Sequence, residues 1–223
     1  MALAAVIAIP AWARHAGDAT RANNSAGDTA TSAPAKAADK GPFYLAYIGT
    51  YTTKKESKGI YAYNFNPATG EFTSIGLAAE TTDPSFVAVH PNGKYLYAVN
   101  EVGDFNGQKS GAISSFEIDR KSGKLKLLNQ VSTHGAGPCY VSLDKDGRFV
   151  LVANYDGGSV ATFEIEPDGS LSLVKGFVQH SGSGTDKERQ EGPHAHWMGV
   201  SPDNRFALVA DLEIGRASCR ERV

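Results

Sequence analysis

The feature that most limits the fold of this chain is a segment that occurs three times along it. The copies begin at Ser85, Cys139 and His196 and align without gaps. In each copy a short alternating run meets a tight turn, which reads Pro-Asn-Gly, Lys-Asp-Gly or Pro-Asp-Asn, and a second run leaves it. Two such runs joined by such a turn predict a β-hairpin. The same hairpin is therefore expected three times.

Two further runs complete each unit. The first starts at a glycine and covers 59–65, 111–118 and 158–165, and the second follows another glycine-containing turn and alternates polar with apolar residues. This alternation is typical of an outer strand with one exposed face. Repeated antiparallel units of four strands predict an all-β fold, a β-propeller whose blades are the repeats. A β-sandwich would not repeat its turns so faithfully.

The length of the repeated region predicts how much of a propeller is present. Residues 44–211 hold about three such units and a fraction, whereas propellers close with about 4 to 8 blades. An open ring would leave edge strands unpaired, which favours association or instability. We therefore expect residues 42–212 to be a partial propeller of three to four blades, the N-terminal part of a larger ring.

The two ends of the chain do not follow the repeat. Residues 1–41 open on an apolar, alanine-rich stretch with Ala11-Trp12-Ala13, which fits the small-x-small pattern of a signal peptidase site, and continue with few large apolar side chains. This predicts a leader and a flexible linker, hence a periplasmic or secreted protein without a stable membrane anchor, or a cytoplasmic one if the leader is not a true signal. Residues 213–223 do not continue the alternating pattern, which favours a foreign tail, with an edge strand as the alternative.

Composition excludes several classes of protein and partner. Hydrophobic residues make up 41% of the chain and charged residues 21%, which is typical of a soluble globular protein. The 22 Lys and Arg against 24 Asp and Glu leave a net charge of −2, with no basic stripe to bind nucleic acid. The two cysteines, Cys139 and Cys219, are too few for a disulfide scaffold.

Three stretches of the repeats carry a resemblance. VHPNGKYLYAVNE, GPCYVSLDKDGRFVLVANYDGGSV and RQEGPHAHWMGVSPDNRFALVAD resemble the bacterial lactonase family of seven-bladed β-propellers, which includes propeller-type 6-phosphogluconolactonase and is related to carboxymuconate cyclase. The resemblance covers residues 44–211. It implies hydrolysis of a small-molecule sugar lactone, such as 6-phosphogluconolactone, without a cofactor and by a monomer at full length. An unphosphorylated lactone would suit an exported enzyme better.

The resemblance also implies a polar site at one mouth of the ring. Opening a lactone requires a base to activate water and donors to hold the developing oxyanion. His196 is the first candidate for the base, because it starts an inner strand and the family carries a histidine there. His194 shares its strand face, and Glu191 can orient the imidazole. The alternatives for the histidines are a structural hydrogen bond and, ranked last, a metal site, so no metal is expected.

Four further residues are candidates for binding the substrate. Arg189 can bind an anionic group, although a charged run such as 186–189 is also simply a solvated loop. Glu101 and Asn154 end equivalent strands and can reach a common rim, while an asparagine there often satisfies backbone groups of the following turn instead. Tyr155 can pack on a sugar ring or fill the gap between blades.

The absence of two motifs narrows the chemistry. The sequence has neither a Gly-x-Ser-x-Gly elbow nor a nucleophilic Cys-His pairing, which favours attack by activated water over an acyl-enzyme. Two other functions stay open. One is a non-catalytic propeller that binds a ligand or serves as a scaffold, since one fold hosts many functions. The other is a lactone-forming cycloisomerase.

Overall fold

The computed structural model describes residues 7–10, 43–53, 56–211 and 216–221. These residues form fifteen β-strands in four antiparallel sheets. Within that described part no helix is long and apolar enough to span a membrane. The predicted all-β class and the four-stranded antiparallel unit are confirmed.

The four sheets follow one another along the chain, and we call them blades 1 to 4. Blade 1 contains β1 (Ile7–Pro10), β2 (Tyr44–Ile48), β3 (Gly59–Phe65) and β4 (Phe72–Glu80). Blade 2 contains β5 (Val87–Val89), β6 (Tyr95–Asn100), β7 (Ala112–Ile118) and β8 (Leu125–Ser132). Blade 3 contains β9 (Pro138–Leu143), β10 (Phe149–Asn154), β11 (Ser159–Ile165) and β12 (Leu171–Gln179). The described strands of blade 4 are β13 (Ala195–Val200), β14 (Phe206–Asp211) and β15 (Arg216–Glu221).

Two short strands come from the ends that the repeat does not reach. β1 lies within the predicted leader, and its backbone pairs antiparallel with β2. β15 lies within the predicted tail and pairs with the whole of β14, so the edge-strand alternative describes its backbone. The leader and the linker stay predictions, because residues 1–6 and 11–42 lie outside the described residues.

The predicted hairpins are β5 with β6, β9 with β10 and β13 with β14. Their turns share a residue in the left-handed region, with φ of 64° at Gly93, 66° at Gly147 and 60° at Asn204. Glycine adopts this conformation without steric cost and asparagine tolerates it, which explains why the repeat places these residue types there.

Neighbouring blades are joined by alternate residues of the same strands. On β6, Leu96 and Ala98 pack against blade 1, whereas Tyr97 and Val99 pack against blade 3. A third apolar cluster joins blade 3 to blade 4. Successive side chains of a strand point to opposite faces, so a blade between two neighbours buries both. The predicted stack of three to four blades is confirmed, and it fixes where the ends of the inner strands meet.

Candidate active site

A cleft of about 490 Å³ lies at the end of the blades opposite the hairpin turns. It is formed by the open ends of the inner hairpins of successive blades, which are the strand ends away from the turns. Its walls consist of aromatic, hydroxyl, thiol, carboxyl and imidazole side chains. The lining residues are Tyr51, Ser85, Phe86, Glu101, Cys139, Tyr140, Tyr155, His196 and Trp197.

Most of the cleft wall comes from a few recurring positions of the repeat. The first residues of the three copies are Ser85, Cys139 and His196, and the second residues are Phe86, Tyr140 and Trp197. Glu101 and Tyr155 directly follow the second strand of their hairpins. Equivalent places in successive blades therefore converge on one cleft and present different chemical groups to it.

Glu101 is the carboxyl group of the cleft. The hydroxyl of Tyr51 donates a hydrogen bond of 2.8 Å to Glu101 Oε2, and the hydroxyl of Ser85 donates to the same oxygen. Burial raises the pKa of Glu101 despite these two hydrogen bonds. Burial, together with the neighbouring carboxyl, also raises the pKa of Tyr51 to about 12. The hydroxyls of Tyr51 and Ser85 hold Glu101 in one orientation. The raised pKa of Tyr51 keeps its hydroxyl protonated, so that it can donate.

Two aspartates add to the negative field around Glu101. Asp83 and Asp156 both act to raise the pKa of that carboxyl. Burial acts to raise the pKa of Asp83 itself, but hydrogen bonds from Thr52 and Thr53 outweigh it and hold that pKa below the ordinary value. The backbone N–H groups of both threonines donate to Asp83 Oδ1, at 2.6 and 2.8 Å. Asp83 is therefore a fixed negative charge near the cleft.

His196 provides the imidazole of the cleft wall. Its exposed ring meets the ring of Tyr155 edge to face, with centroids 5.5 Å apart and planes at 89°. Tyr155 in turn contacts the ring of His194 in a tilted arrangement, with centroids 4.5 Å apart and planes at 32°. Tyr155 therefore contacts both histidine rings, and His196 lines the cleft.

His194 is not among the lining residues of the cleft. Its Nδ1 is 3.0 Å from the carbonyl oxygen of Tyr155, and its Nε2 is 3.5 Å from Glu191 Oε1. Its backbone N–H donates to Asp211 Oδ1 at 2.9 Å. Glu191 and Arg189 are exposed in the loop between β12 and β13 and do not line the cleft. In this arrangement His194 contacts Tyr155 on one side and Glu191 on the other.

Asn154 is completely buried and also does not line the cleft. Its amide nitrogen donates to the carbonyl oxygen of Thr133 at 3.3 Å, as the amide of Asn100 does to that of Thr82 at 2.6 Å. Both asparagines end the second strand of their blade. The amide of Asn154 therefore ties the end of β10 to the loop between β8 and β9 rather than to the turn that follows β10.

Cys139 lines the cleft but presents a protonated thiol. Burial raises the pKa of Cys139 to about 12, and its sulfur is 3.8 Å from the carbonyl oxygens of Ala195 and His196. The thiol of Cys139 in blade 3 therefore contacts the backbone of blade 4. Across the described residues, no three His, Cys, Asp or Glu side chains are arranged to hold a metal ion.

Comparison with known proteins assigns the fold to a family. A family model described as a lactonase, 7-bladed beta-propeller, matches residues 45–217. The chain belongs to this lactonase family. The predicted resemblance and the propeller architecture are confirmed by this match.

Relatives of this lactonase-family chain are known by sequence and by structure. A 6-phosphogluconolactonase from Bacillus subtilis is 37% identical over 173 residues, covering 78% of the chain and 48% of the relative. One from Formosa agariphila is 34% identical over 166 residues, covering 74% and 46%. The solved Pseudomonas aeruginosa periplasmic gluconolactonase has a TM-score of 0.72 at 32% identity, covering 80% and 50%. The chain thus spans about half the length of these relatives.

Sequence reasoning placed three of the nine lining residues at a common site, namely Glu101, Tyr155 and His196. It did not propose the other six. A signal for five of those was nevertheless present, because they stand in the same two columns of the repeat alignment as His196 and its neighbour. The exception is Tyr51, which follows β2 and stands outside the aligned copies. It lines the cleft and donates a hydrogen bond to Glu101. Equivalent positions of the repeat thus provide most of the cleft wall.

Proposed function

We propose that this protein hydrolyses a sugar lactone to its open-chain acid, with His196 as the base that activates water. The observation that carries the proposal is the imidazole of His196 in a cleft that also contains the held carboxyl of Glu101. Membership of the lactonase family and the names of the relatives support it, since two are 6-phosphogluconolactonases and one is a gluconolactonase.

The proposed reaction adds one water across the ring ester. The water oxygen bonds to the carbonyl carbon while His196 takes one of its protons, and the carbonyl oxygen becomes an oxyanion. The oxyanion then returns its electrons to carbon, the bond to the ring oxygen breaks, and that oxygen accepts a proton from Glu101. Transfer of the proton from His196 to Glu101 through solvent restores both groups. The product is a hydroxy acid with no other co-reactant.

The neighbours of these two groups set their orientation. Tyr51 and Ser85 donate to one oxygen of Glu101. Tyr155 packs between His194 and His196, and His194 is tied to the backbone of Tyr155. We therefore assign positioning roles to Tyr51 and Ser85, which donate to Glu101, and to His194, which contacts Tyr155.

We also propose that the protein works outside the cytoplasm. The alanine-rich leader with its small-x-small site supports export. The name of the Pseudomonas aeruginosa relative, a periplasmic gluconolactonase, is consistent with it. Expression with a C-terminal tag, followed by fractionation and N-terminal sequencing, tests export: a processed N-terminus in the periplasmic fraction is expected, and an unprocessed cytoplasmic protein would refute it.

Replacing His196 tests the proposed base. The variant His196→Asn should lower kcat for lactone hydrolysis by about 10²- to 10⁴-fold, the usual contribution of a general base. The matched control is His134→Asn, because His134 is an exposed histidine outside the cleft whose φ of 59° an asparagine tolerates. The measurement is the rate of proton release from a panel of sugar lactones, corrected for spontaneous hydrolysis.

The outcomes separate the proposed function from its alternatives. Loss of kcat in His196→Asn with a normal His134→Asn supports the lactonase. Turnover of no lactone by the parent protein would refute it and favour a non-catalytic propeller. Formation of a lactone from an acid in preference to its hydrolysis would favour a cycloisomerase.

A further inference from the structure

Asp83 joins the loop that follows β2 of blade 1 to the segment that enters blade 2. It is buried, and its Oδ1 accepts from the backbone N–H groups of Thr52 and Thr53. The hydroxyls of the same two threonines donate to Oδ1 at 3.2 Å and to Oδ2 at 2.5 Å. The N–H of Asp83 donates in return to Thr52 Oγ1 at 3.0 Å. The side chain of Asp83 therefore fixes the backbone that directly follows Tyr51.

The backbone carbonyl of Asp83 holds two further residues of the cleft wall. Its oxygen accepts from the N–H of Ser85 at 2.8 Å and from the N–H of Glu101 at 3.0 Å. The hydroxyls of Tyr51 and Ser85 both donate to Glu101, and we call these three residues the Glu101 cluster. Asp83 thus holds the backbone at, or directly beside, each member of the cluster.

The repeat shows that the backbone at this position does not itself require a carboxylate. The equivalent residue of blade 3 is Gly137, whose carbonyl oxygen accepts from the N–H of Tyr155 at 2.7 Å. Both residues lie in the left-handed region, with φ of 60° at Gly137 and 41° at Asp83. Glycine adopts this conformation without steric cost, whereas a residue with a side chain is uncommon there and is often found at functional sites. The carboxylate of Asp83 therefore serves its contacts with the loop after Tyr51 rather than the backbone turn.

We propose that Asp83 is a positioning residue for lactone hydrolysis, which holds Tyr51 against Glu101 and so orients the proton donor of the cleft. This inference rests on the proposed function, because it adds a residue to the same site. Asp83 does not line the cleft, so it acts through the Glu101 cluster. Its contribution is geometric, since a displacement of about 1 Å in a catalytic arrangement can cost about 10²-fold in rate.

Two substitutions of Asp83 separate the carboxylate from the backbone conformation. Asp83→Gly suits the left-handed backbone but removes every side-chain contact with the loop after Tyr51. We expect it to lower kcat for glucono-1,5-lactone about tenfold, within the range for a misplaced group, with KM nearly unchanged. Asp83→Asn tolerates the same backbone and keeps an oxygen that accepts from both N–H groups, so it should retain most of kcat. Equal losses of kcat in the two variants would overturn the proposal.

A second buried carboxylate provides the matched control. Asp144 also accepts from two backbone N–H groups, but it lies at the hairpin turns, away from the cleft. Asp144→Ala should therefore lower the melting temperature without lowering kcat. If Asp144→Ala lost as much kcat as Asp83→Gly, general destabilisation would explain both losses, and the positioning role would be refuted.

A double variant tests whether Asp83 acts through Glu101. Glu101→Gln already lacks the proton donor, so its orientation no longer affects proton transfer. Adding Asp83→Gly to Glu101→Gln should therefore lower kcat by less than about twofold more, as expected for two residues that act on one step. A further loss of about tenfold, the same as in the parent background, would show that Asp83 acts on another part of the protein.

An NMR measurement tests the same contact without any turnover. An isotope label on the tyrosine ring carbon that bears the hydroxyl reports on the hydrogen bond of that hydroxyl, and Tyr51→Phe identifies the Tyr51 signal. We expect Asp83→Gly to move this signal towards that of free tyrosine and Asp144→Ala to leave it in place. An unmoved signal in Asp83→Gly would overturn the inference. If the parent hydrolyses no lactone but the signal moves as expected, the proposed function fails while the positioning of Tyr51 by Asp83 is supported.

Thermal melting identifies any variant that does not fold. If Asp83→Gly is misfolded, Thr53→Val takes its place, because it removes only the hydroxyl that donates to Asp83 Oδ2. We expect Thr53→Val to lower kcat about threefold, the size of one lost hydrogen bond, and to move the Tyr51 signal in the same direction. An unchanged kcat together with an unmoved signal would contradict the role assigned to Asp83.

Discussion

The hairpin turns and the cleft lie at opposite ends of the same inner strands, and the repeat differs between them. At the turns, side chains at equivalent positions of the repeat accept hydrogen bonds from backbone N–H groups. Asp144 Oδ1 accepts from the N–H groups of Arg148 and Phe149 at 2.7 and 2.8 Å, and Ser201 Oγ accepts from that of Phe206 at 3.0 Å. These bonds close the hairpin turns of blades 3 and 4 and do not depend on the chemistry at the cleft.

At the cleft, equivalent residues carry different chemistry. The first position of the repeat is a hydroxyl at Ser85, a thiol at Cys139 and an imidazole at His196. The position after the hairpin is a carboxyl at Glu101 and a phenol at Tyr155. A repeat stays uniform where the backbone demands one conformation, and it diversifies where side chains face an open cleft. Comparing the two ends within a single chain therefore separates the residues of the fold from those of the site.

The largest expected effect comes from the cleft end. Glu101→Gln keeps the shape and an acceptor for Tyr51 and Ser85 but removes the proton donor. We expect kcat for lactone hydrolysis to fall about 10²-fold, the lower range for loss of acid–base assistance. Steady-state kinetics measures this, and an unchanged kcat would remove Glu101 from the mechanism.

The same variant should gain stability while it loses activity. Burial raises the pKa of Glu101 in the folded chain, so its contribution to the free energy of unfolding is lost as pH rises through that pKa. Glu101→Gln should therefore melt at a higher temperature than the parent near pH 7. The gain should vanish below the ordinary pKa of 4.5, where the carboxyl is protonated in both states. Melting curves across pH would contradict this if the gain were largest in acid.

The next prediction concerns the turn end, where we expect a substitution to lower stability without changing substrate binding. Asp144 is buried and joins two backbone N–H groups, so Asp144→Ala leaves both without their acceptor. We expect a loss of about 1–3 kcal/mol in the free energy of unfolding, with KM unchanged. Denaturant unfolding measures the loss, and Asp146→Ala in the same turn is the exposed control. A change in KM without a change in stability would contradict the separation of the two ends.

The smallest effect tests a difference between two blades. Ser114 Oγ and Gln130 Nε2 both donate to Asn100 Oδ1, at 2.7 and 2.9 Å. In blade 3 the equivalent Asn154 Oδ1 is buried without a hydrogen-bond partner among the described residues. The residue equivalent to Ser114 is Ala161, since each lies two places beyond the residue paired with the asparagine.

Ala161→Ser should therefore supply the donor that blade 3 lacks. We expect the free energy of unfolding to rise by about 1 kcal/mol, the net value of one buried hydrogen bond. Denaturant unfolding measures it, with Ala161→Gly as a control that adds no hydroxyl. A loss of stability in Ala161→Ser would show that the blade is packed too closely at this point to accept a hydroxyl.

The candidate site could be predicted from the sequence only where one residue carried its own signal. His196 and Glu101 stood out because their side chains are reactive and end or begin a repeated strand. Asn154 stood in the same repeat position as Asn100, but its amide turns away from the cleft toward Thr133. No spacing rule distinguishes these orientations, since the direction of a strand-end side chain depends on the loop that it meets.

The sequence by itself determined the repeated hairpin and the outer strands, because turn composition and alternation act over a few residues and recur in each copy, and the resemblance of three stretches indicated the family. Only the tertiary structure decided which strand ends share one cleft. It joined Tyr51 to Glu101 across 50 positions of sequence and set Tyr155 between two histidines. The physical reason is that stacked blades bring together residues that are distant in sequence, and their contacts depend on packing between the sheets.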